Sequence, residues 1–360
     1  MNEYAIQMSA ADTSSFLSGL YAWGIEVIKV IQGIENPALT AFVKFFTAMG
    51  TAYFYVPLIL LIFWWIDEKR GFRMGVLIIV SAWINSFIKD TLKQPRPFDL
   101  DPSVGLAFEP TYGAPSGHAQ LSLSFWVPVA AWLSNIWARK KPGLMKPDSL
   151  NPAMKRGITW TATIAFLLFM GYTRLYLGVH FPTDLFLGWI IAALILVVWF
   201  LPGPFLMEKL ATTGVRFQNI CAALIALLMN GLYPEDRTMP ALLLGFCVGY
   251  TFMKRRFPFS SRGEINGKRP GVPVFSLRAL VGFAGLAIIY AALRLVLPGE
   301  GSLFASIPLW GETSPFYELG RFVRYCLVGF WASAGAPYVF RRMGIASNTG
   351  VVEEGRTNPE

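Results

Sequence analysis

Nine stretches of mostly apolar residues recur along this chain, at roughly 45–66, 73–92, 117–137, 157–173, 185–201, 217–233, 239–253, 276–297 and 318–338. About 20 such residues in a helix cross a hydrocarbon layer about 30 Å thick, and a helix satisfies every backbone polar group from within the segment. The repetition therefore predicts an all-α, polytopic membrane helix bundle with about nine transmembrane helices. Composition agrees, because 54% hydrophobic and 15% charged residues leave too little polar surface to coat a soluble globule of 360 residues. Ahead of the first run, "SFLSGLYAWGIEVIKVIQGI" is amphipathic and carries Glu26 and Lys29, which predicts a helix lying in the membrane interface.

The formal charge of +9 could point to nucleic acid, but the basic residues form short clusters between apolar runs rather than a stripe on a soluble face. Nucleic acid is therefore excluded as a partner. Twenty of the 31 Lys and Arg fall in one alternating set of connections, six in the other, and five within or at the ends of runs. Cytoplasmic loops retain positive charge, so this bias predicts an odd number of crossings, an outside N-terminus and an inside tail. We divide the chain into an N-terminal segment (1–39), a core (40–201), additional transmembrane helices (202–340) and a disordered cytoplasmic tail (341–360). No basic region followed by an apolar core and a cleavage site opens the chain, so no cleaved signal peptide is expected. Cys221, Cys247 and Cys326 lie in apolar runs without paired-ligand spacing and read as packing residues. The outer face would be the periplasm in a bacterium and an organelle lumen in a eukaryote, and compact connections with a short tail favour a bacterial inner membrane.

Three polar segments emerge on that outer side: "KDTLKQPRPF", "GAPSGHAQ" and "GYTRLYLGVHFPTD". Both histidines of the chain, His118 and His180, lie in them. Lys89, Arg96 and Arg174 supply positive charge, and the planar arginine fork matches phosphate oxygens bidentately. Ser116 and Gly117 sit where a helix begins, so their backbone N–H groups meet an anion at the positive end of the helix dipole. Two imidazoles around a phosphoryl group can divide the work, one attacking phosphorus and the other donating a proton to the departing oxygen. His180 is the candidate nucleophile, because a helix starting at "FPTD" would turn Asp184 back onto its ring and fix the tautomer. His118 is then the general acid, and later the base that activates water. The segments carry no Asp/Glu/His cluster with metal-ligand spacing, so a mechanism without metal or other cofactor is expected.

These segments resemble the signature of the type 2 phosphatidic acid phosphatase superfamily. Its motifs are a lysine separated by six residues from Arg-Pro, then Pro-Ser-Gly-His, then Ser-Arg followed by a histidine and an aspartate. Lys89 precedes Arg96 and Pro97 by that spacing, Pro115 to His118 match outright, and Arg174, His180 and Asp184 match in order. Thr173 stands where the family has serine, which keeps the hydroxyl. The resemblance covers roughly residues 40–200 and implies a phosphohistidine on the third-motif histidine with the second-motif histidine as acid. Soluble haloperoxidases share the motifs, but the apolar runs argue against that branch. The extra helices after the core are similar to membrane glucose-6-phosphatases and sphingosine-phosphate phosphatases, and "PSGHAQ" is similar to dolichyl diphosphatases.

The leading expectation is an integral membrane phosphatase acting on a lipid phosphate or prenyl diphosphate, with membrane lipids around it and an oligomeric state left open. A sugar-phosphate phosphatase or a lipid phosphotransferase would use the same residues, and a lipid transporter or scaffold is the non-enzymatic alternative. Arg294, Arg321 and Arg324 lie in the last two runs, where an unpaired charge costs about 2.5–3.5 kcal/mol. They read either as snorkelling or pairing with Glu318, or as an outer rim for a second phosphate or an acidic headgroup.

Overall fold

A computed structural model of the chain describes residues 15–139, 151–265, 267–298, 302–307, 310–311 and 314–347. The described residues form helices and no strand: α1 (Ser15–Gln32), α2 (Pro37–Thr47), α3 (Ala52–Leu61), α4 (Glu68–Leu92), the single turn α5 (Pro97–Leu100), α6 (Gly117–Arg139), α7 (Pro152–Tyr176) and α8 (Pro182–Phe200). Then come α9 (Pro202–Ala211), α10 (Val215–Leu232), α11 (Thr238–Arg256), α12 (Val272–Val296), α13 (Tyr317–Phe330) and α14 (Ala336–Arg342). The chain is an all-α, multi-pass membrane protein. Six of these helices are long and apolar enough to cross a bilayer, and a bent pair, Pro37–Gly50 with Ala52–Ile66, makes up to seven. The two shorter expected runs lie on α11, which ends in Lys254, Arg255 and Arg256, and on α13, 14 residues that carry Glu318, Arg321 and Arg324. Lys140, Lys141, Lys146 and the tail from residue 348 lie outside the described residues.

The first apolar run is not one straight helix. Asn36 caps α2, its side chain accepting from Leu39 N at 2.9 Å with Pro37 at the first helical position. A 3₁₀ turn at Ala48–Gly50 then bends the path by 50°. A Cβ at Gly50 would stand 2.5 Å from the His118 ring, so the bend falls on a residue whose missing side chain makes room for the imidazole.

Two compact units share the chain: Met1–Tyr55 with Ile84–Leu201, and Val56–Trp83 with Pro202–Glu360. In the first, α6 packs against α7 and α8. Tyr21, Ile25 and Ile28 of α1 join Val104 and Phe181 in a buried cluster, and Gln32 Nε2 donates to the carbonyls of Val104 and Tyr176 at 2.8 Å each. The apolar face of α1 thus packs in part on protein, a contact that amphipathicity alone does not distinguish from burial in headgroups.

In the second unit, Phe63, Trp64, Phe246, Tyr250, Phe259 and Phe340 form an aromatic core, with Phe72 stacked on Tyr250 at 3.9 Å. A π turn at Ile62–Ile66 ends α3. The buried Arg278 guanidinium donates to the carbonyls of Trp64 (2.9 Å), Ser261 (2.6 Å) and Ile345 (2.8 Å). A Cβ at Gly245 would fall 1.8 Å from the Cys326 carbonyl, so α11 and α13 touch backbone to backbone, as small residues permit between membrane helices.

In the first unit a Cβ at Gly188 of α8 would stand 2.7 Å from the Ser116 carbonyl oxygen, an atom of the turn that opens α6. Gly188→Ala should therefore destabilise the detergent-solubilised protein by about 1–3 kcal/mol. A thermal unfolding curve that superimposes on the wild type would contradict so close an approach.

Candidate active site

Helix ends build the site. Lys89 lies in the last turn of α4 and Arg174 in the last turn of α7, where the negative end of the helix dipole favours cations. Asp184 lies in the first turn of α8, where the positive end favours an anion. Past α4, Arg96 is held extended by the proline that follows it, and its backbone N–H donates to Asp99 at 2.9 Å. The chain leaves α7 through Gly178, whose φ of +64° and lack of a Cβ let it pass the Val104 carbonyl. That turn delivers His180, and Pro182 then starts α8.

His180 and Asp184 meet as the sequence predicts. Asp184 Oδ2 lies 3.2 Å from His180 Nδ1 and also accepts from the Phe181 backbone N–H at 2.9 Å. The carboxylate can only accept, so Nδ1 carries the ring proton and Nε2 keeps its lone pair. Nε2 faces Arg96 Nη1 at 3.5 Å. Burial first, then the charges of Arg96, Lys89 and Arg174, holds the His180 imidazole well below its ordinary titration range, so it is neutral near pH 7.

The two arginines are buried, 1% and 2% exposed. Arg96 donates to the carbonyls of Val179 (2.7 Å) and Thr111 (2.5 Å) and to Thr111 Oγ1 (2.9 Å). Arg174 donates to Thr47 Oγ1 at 2.8 Å. Glu109 spans both guanidiniums, one carboxylate oxygen on Arg174 and the other 2.8 Å from Arg96 Nη2. Burial alone would raise the Glu109 carboxyl, but Arg174 and Arg96 outweigh it and hold the group below the ordinary carboxylate range.

Ser116 is buried directly before α6, and its backbone N–H donates to the Asp184 carbonyl at 3.0 Å. A Cβ at Gly117 would approach Asn85 Oδ1 to 3.2 Å, so glycine seats the turn against α4. His118 follows and hydrogen-bonds the Thr47 backbone. It lies within electrostatic reach of Arg174, Lys89, Arg96 and His180. Lys89, Arg96, Ser116, Gly117, His118, Arg174, His180 and Asp184 therefore gather in one unit. Guanidinium, ammonium and imidazole donors of this kind receive an anion rather than a cation.

Arg294, Arg321 and Arg324 belong to the second unit. Arg294 is exposed, Arg321 donates to Thr238 Oγ1 at 3.2 Å, and the Arg324 guanidinium lies 6.0 Å from the Tyr290 ring centre. Glu318, weighed as their partner, pairs instead with Arg237 at 3.4 Å.

Sequence reasoning missed Glu109, Thr111 and Thr47. Glu109 was open to charge balance, since it is a carboxylate inside the connection that links the first two motifs. Thr47 carries no local signal. Its hydroxyl becomes a partner of Arg174 and of Thr173 Oγ1 (3.2 Å) only when α2 packs beside α7.

Two family models match the chain: "PAP2 superfamily" over residues 70–205, and "PAP2 superfamily phosphatase, transmembrane extension" over residues 237–348. An undecaprenyl-diphosphatase of Sulfolobus acidocaldarius is 26% identical over 200 residues, 53% of this chain and 80% of that protein. Sphingosine-1-phosphate phosphatase 2 of Mus musculus is 24% identical over 326 residues, 84% of this chain and 87% of that protein. Phosphatidylglycerophosphatase B of Bacillus subtilis is 27% identical over 166 residues, 45% of this chain and 74% of that protein.

Thr47→Val removes an acceptor of nearly the same shape and leaves a buried Arg174 N–H unpaired. We expect it to weaken inorganic phosphate binding about tenfold, with Thr47→Ser close to wild type. Equal dissociation constants for the three proteins would show that Thr47 does not set the Arg174 fork.

Proposed function

Because the chain belongs to the PAP2 superfamily, whose signature residues converge in its first unit, we propose that it hydrolyses a phosphomonoester or diphosphate of a lipid through a phosphohistidine on His180. The substrate would be of the phosphatidate, prenyl diphosphate or sphingoid phosphate type. The reaction would take place on the non-cytoplasmic side, the periplasm of a bacterial inner membrane. The relatives named for undecaprenyl diphosphate, sphingosine 1-phosphate and phosphatidylglycerophosphate support a lipid substrate. The distribution of Lys and Arg among the connections supports the sidedness.

The observation that carries the mechanism is the orientation of His180, with Nδ1 held by Asp184 and Nε2 turned toward the Arg96 guanidinium. A phosphoryl group held by Lys89, Arg96, Arg174 and the N–H groups opening α6 would present phosphorus to Nε2. The N–P bond forms as the P–O bond to the leaving group breaks, and His118 delivers the proton to the departing oxygen. Asp184 stabilises the imidazolium that results. Water deprotonated by His118 then attacks phosphorus, the N–P bond breaks, and phosphate leaves. Three cations in a desolvated site supply the charge neutralisation that phosphoryl transfer requires, so the proposed mechanism needs no metal.

Phosphate release from detergent-solubilised phosphatidate, prenyl diphosphate and sphingosine phosphate, with glucose 6-phosphate alongside, tests the substrate class. Turnover of glucose 6-phosphate alone would refute a lipid phosphatase. Rapid acid quench with a ³²P-labelled substrate tests the roles. We expect His180→Ala to give no labelled protein and a kcat lower by about 10³ or more, whereas His118→Ala retains label when the leaving group is activated, because water is no longer deprotonated. Label that persists in His180→Ala would refute the assignment.

The titration of His180 gives a second expectation. Its neutral form is the nucleophile, and its proton affinity is depressed, so the acid limb of kcat/KM should lie below the ordinary imidazole range. A limb within or above that range would mean that His180 is not held neutral by its surroundings.

A further inference from the structure

Among the described residues, Glu109 is the one carboxylate placed on both guanidiniums of the proposed phosphate clamp. Its Oε1 meets Arg174 Nη2 and its Oε2 lies 2.8 Å from Arg96 Nη2, so its two oxygens span the forks as two oxygens of a phosphoryl group would. The side chain remains partly exposed, whereas both arginines are almost fully buried. It sits in the irregular segment between Val104 and Ser116, outside any helix, and its neighbour Phe108 is exposed. Each arginine has other partners, Val179 and Thr111 for Arg96 and Thr47 for Arg174, which hold the forks without the carboxylate.

We propose that Glu109 sets substrate affinity as a built-in competitor: its carboxylate holds the Arg96 and Arg174 forks and is displaced when a phosphoryl group binds there. The proposal rests on the reading that these arginines hold the substrate phosphate. A carboxylate carries one negative charge and a phosphomonoester two, so the incoming dianion gains more from the three cations than the departing side chain loses. The competition weakens binding of every anion by the same factor, so singly charged ones, whose intrinsic affinity for the three cations is lower, are the first to fall below useful binding. Glu109 would thus set the affinity an anion needs to occupy the forks, a level that dianionic phosphate monoesters and diphosphates reach more readily than singly charged phosphodiesters such as ordinary membrane phospholipids. It would also speed release of inorganic phosphate by returning to the forks.

The test is inhibition by inorganic phosphate of the full-length protein in detergent, for wild type, Glu109→Gln and Asp101→Asn. Asp101 is the charge control, because its carboxylate pairs with Lys29 at 3.0 Å rather than with the arginines. We expect Glu109→Gln to lower the Ki for phosphate about tenfold, the scale of one charge-assisted pair, and Asp101→Asn to leave it unchanged. Dimethyl phosphate, a singly charged diester that inhibits the wild type more weakly than phosphate, should tighten in Glu109→Gln by a similar factor. An unchanged or higher Ki in Glu109→Gln, or equal tightening in Asp101→Asn, overturns the proposal. If Glu109→Gln is unstable, thermal unfolding with and without phosphate decides. Rescue by phosphate to the wild-type transition supports displacement, and instability in both conditions makes Glu109 a structural pair and overturns it. A wild-type protein that neither hydrolyses phosphate esters nor binds phosphate fails the functional reading itself, whereas a phosphate-inhibited wild type with an unaltered Glu109→Gln fails the Glu109 proposal alone.

Discussion

Concentrating Lys89, Arg96 and Arg174 in a bundle of apolar helices is electrostatically unfavourable twice over. Each cation leaves water, and each repels the other two. The fold offsets this with helix ends. Lys89 and Arg174 stand in the last turns of α4 and α7, where carbonyl ends attract positive charge, and the segment between α5 and α6 returns to lay Glu109 across both arginines. The same geometry favours an anion beside these cations, because α6 and α8 both begin next to the two imidazoles, with Asp184 already in the first turn of α8. Charge compensation by helix ends and by Glu109 is thus what keeps these residues inside the bundle.

Arg174 and Arg278 show why an arginine in an apolar run is an ambiguous sign. Both are almost wholly buried. Arg278 gives its Nε and Nη1 donors to three backbone carbonyls, those of Trp64, Ser261 and Ile345, where the π turn and irregular connections leave acceptors unmatched. It works as a polar staple for the second unit. Arg174 instead has side-chain partners, a hydroxyl and a carboxylate, and stands near two imidazoles. The difference lies in what the guanidinium faces, and hydropathy does not record it.

Close approach of backbone does the remaining work in the first unit. Gly50 admits the His118 ring, Gly178 takes the left-handed turn that carries the chain from Arg174 to His180, and Gly188 lets α8 approach the turn before His118. The placement of both imidazoles therefore depends on residues that have no side chain, and positional precision of this kind is what the proposed nucleophile and acid would need to act on one phosphorus atom.

Helical class, membrane residence and the motif residues were legible along the chain, because apolar run length, loop charge and the order Lys89, Arg96, Pro115–His118, Arg174, His180, Asp184 are one-dimensional properties. The contact of His180 with Asp184 was legible too, since four residues across a helix start leave few geometries. The bend at Ala48–Gly50, the packing of α1 on Val104 and Phe181, and the roles of Thr47 and Glu109 were not. Each depends on a partner many residues away, Glu109 on Arg174 and Thr47 on the same arginine. Such long-range pairings are chosen by burial and charge compensation only once the helices have packed, so no periodicity or spacing in the chain announces them.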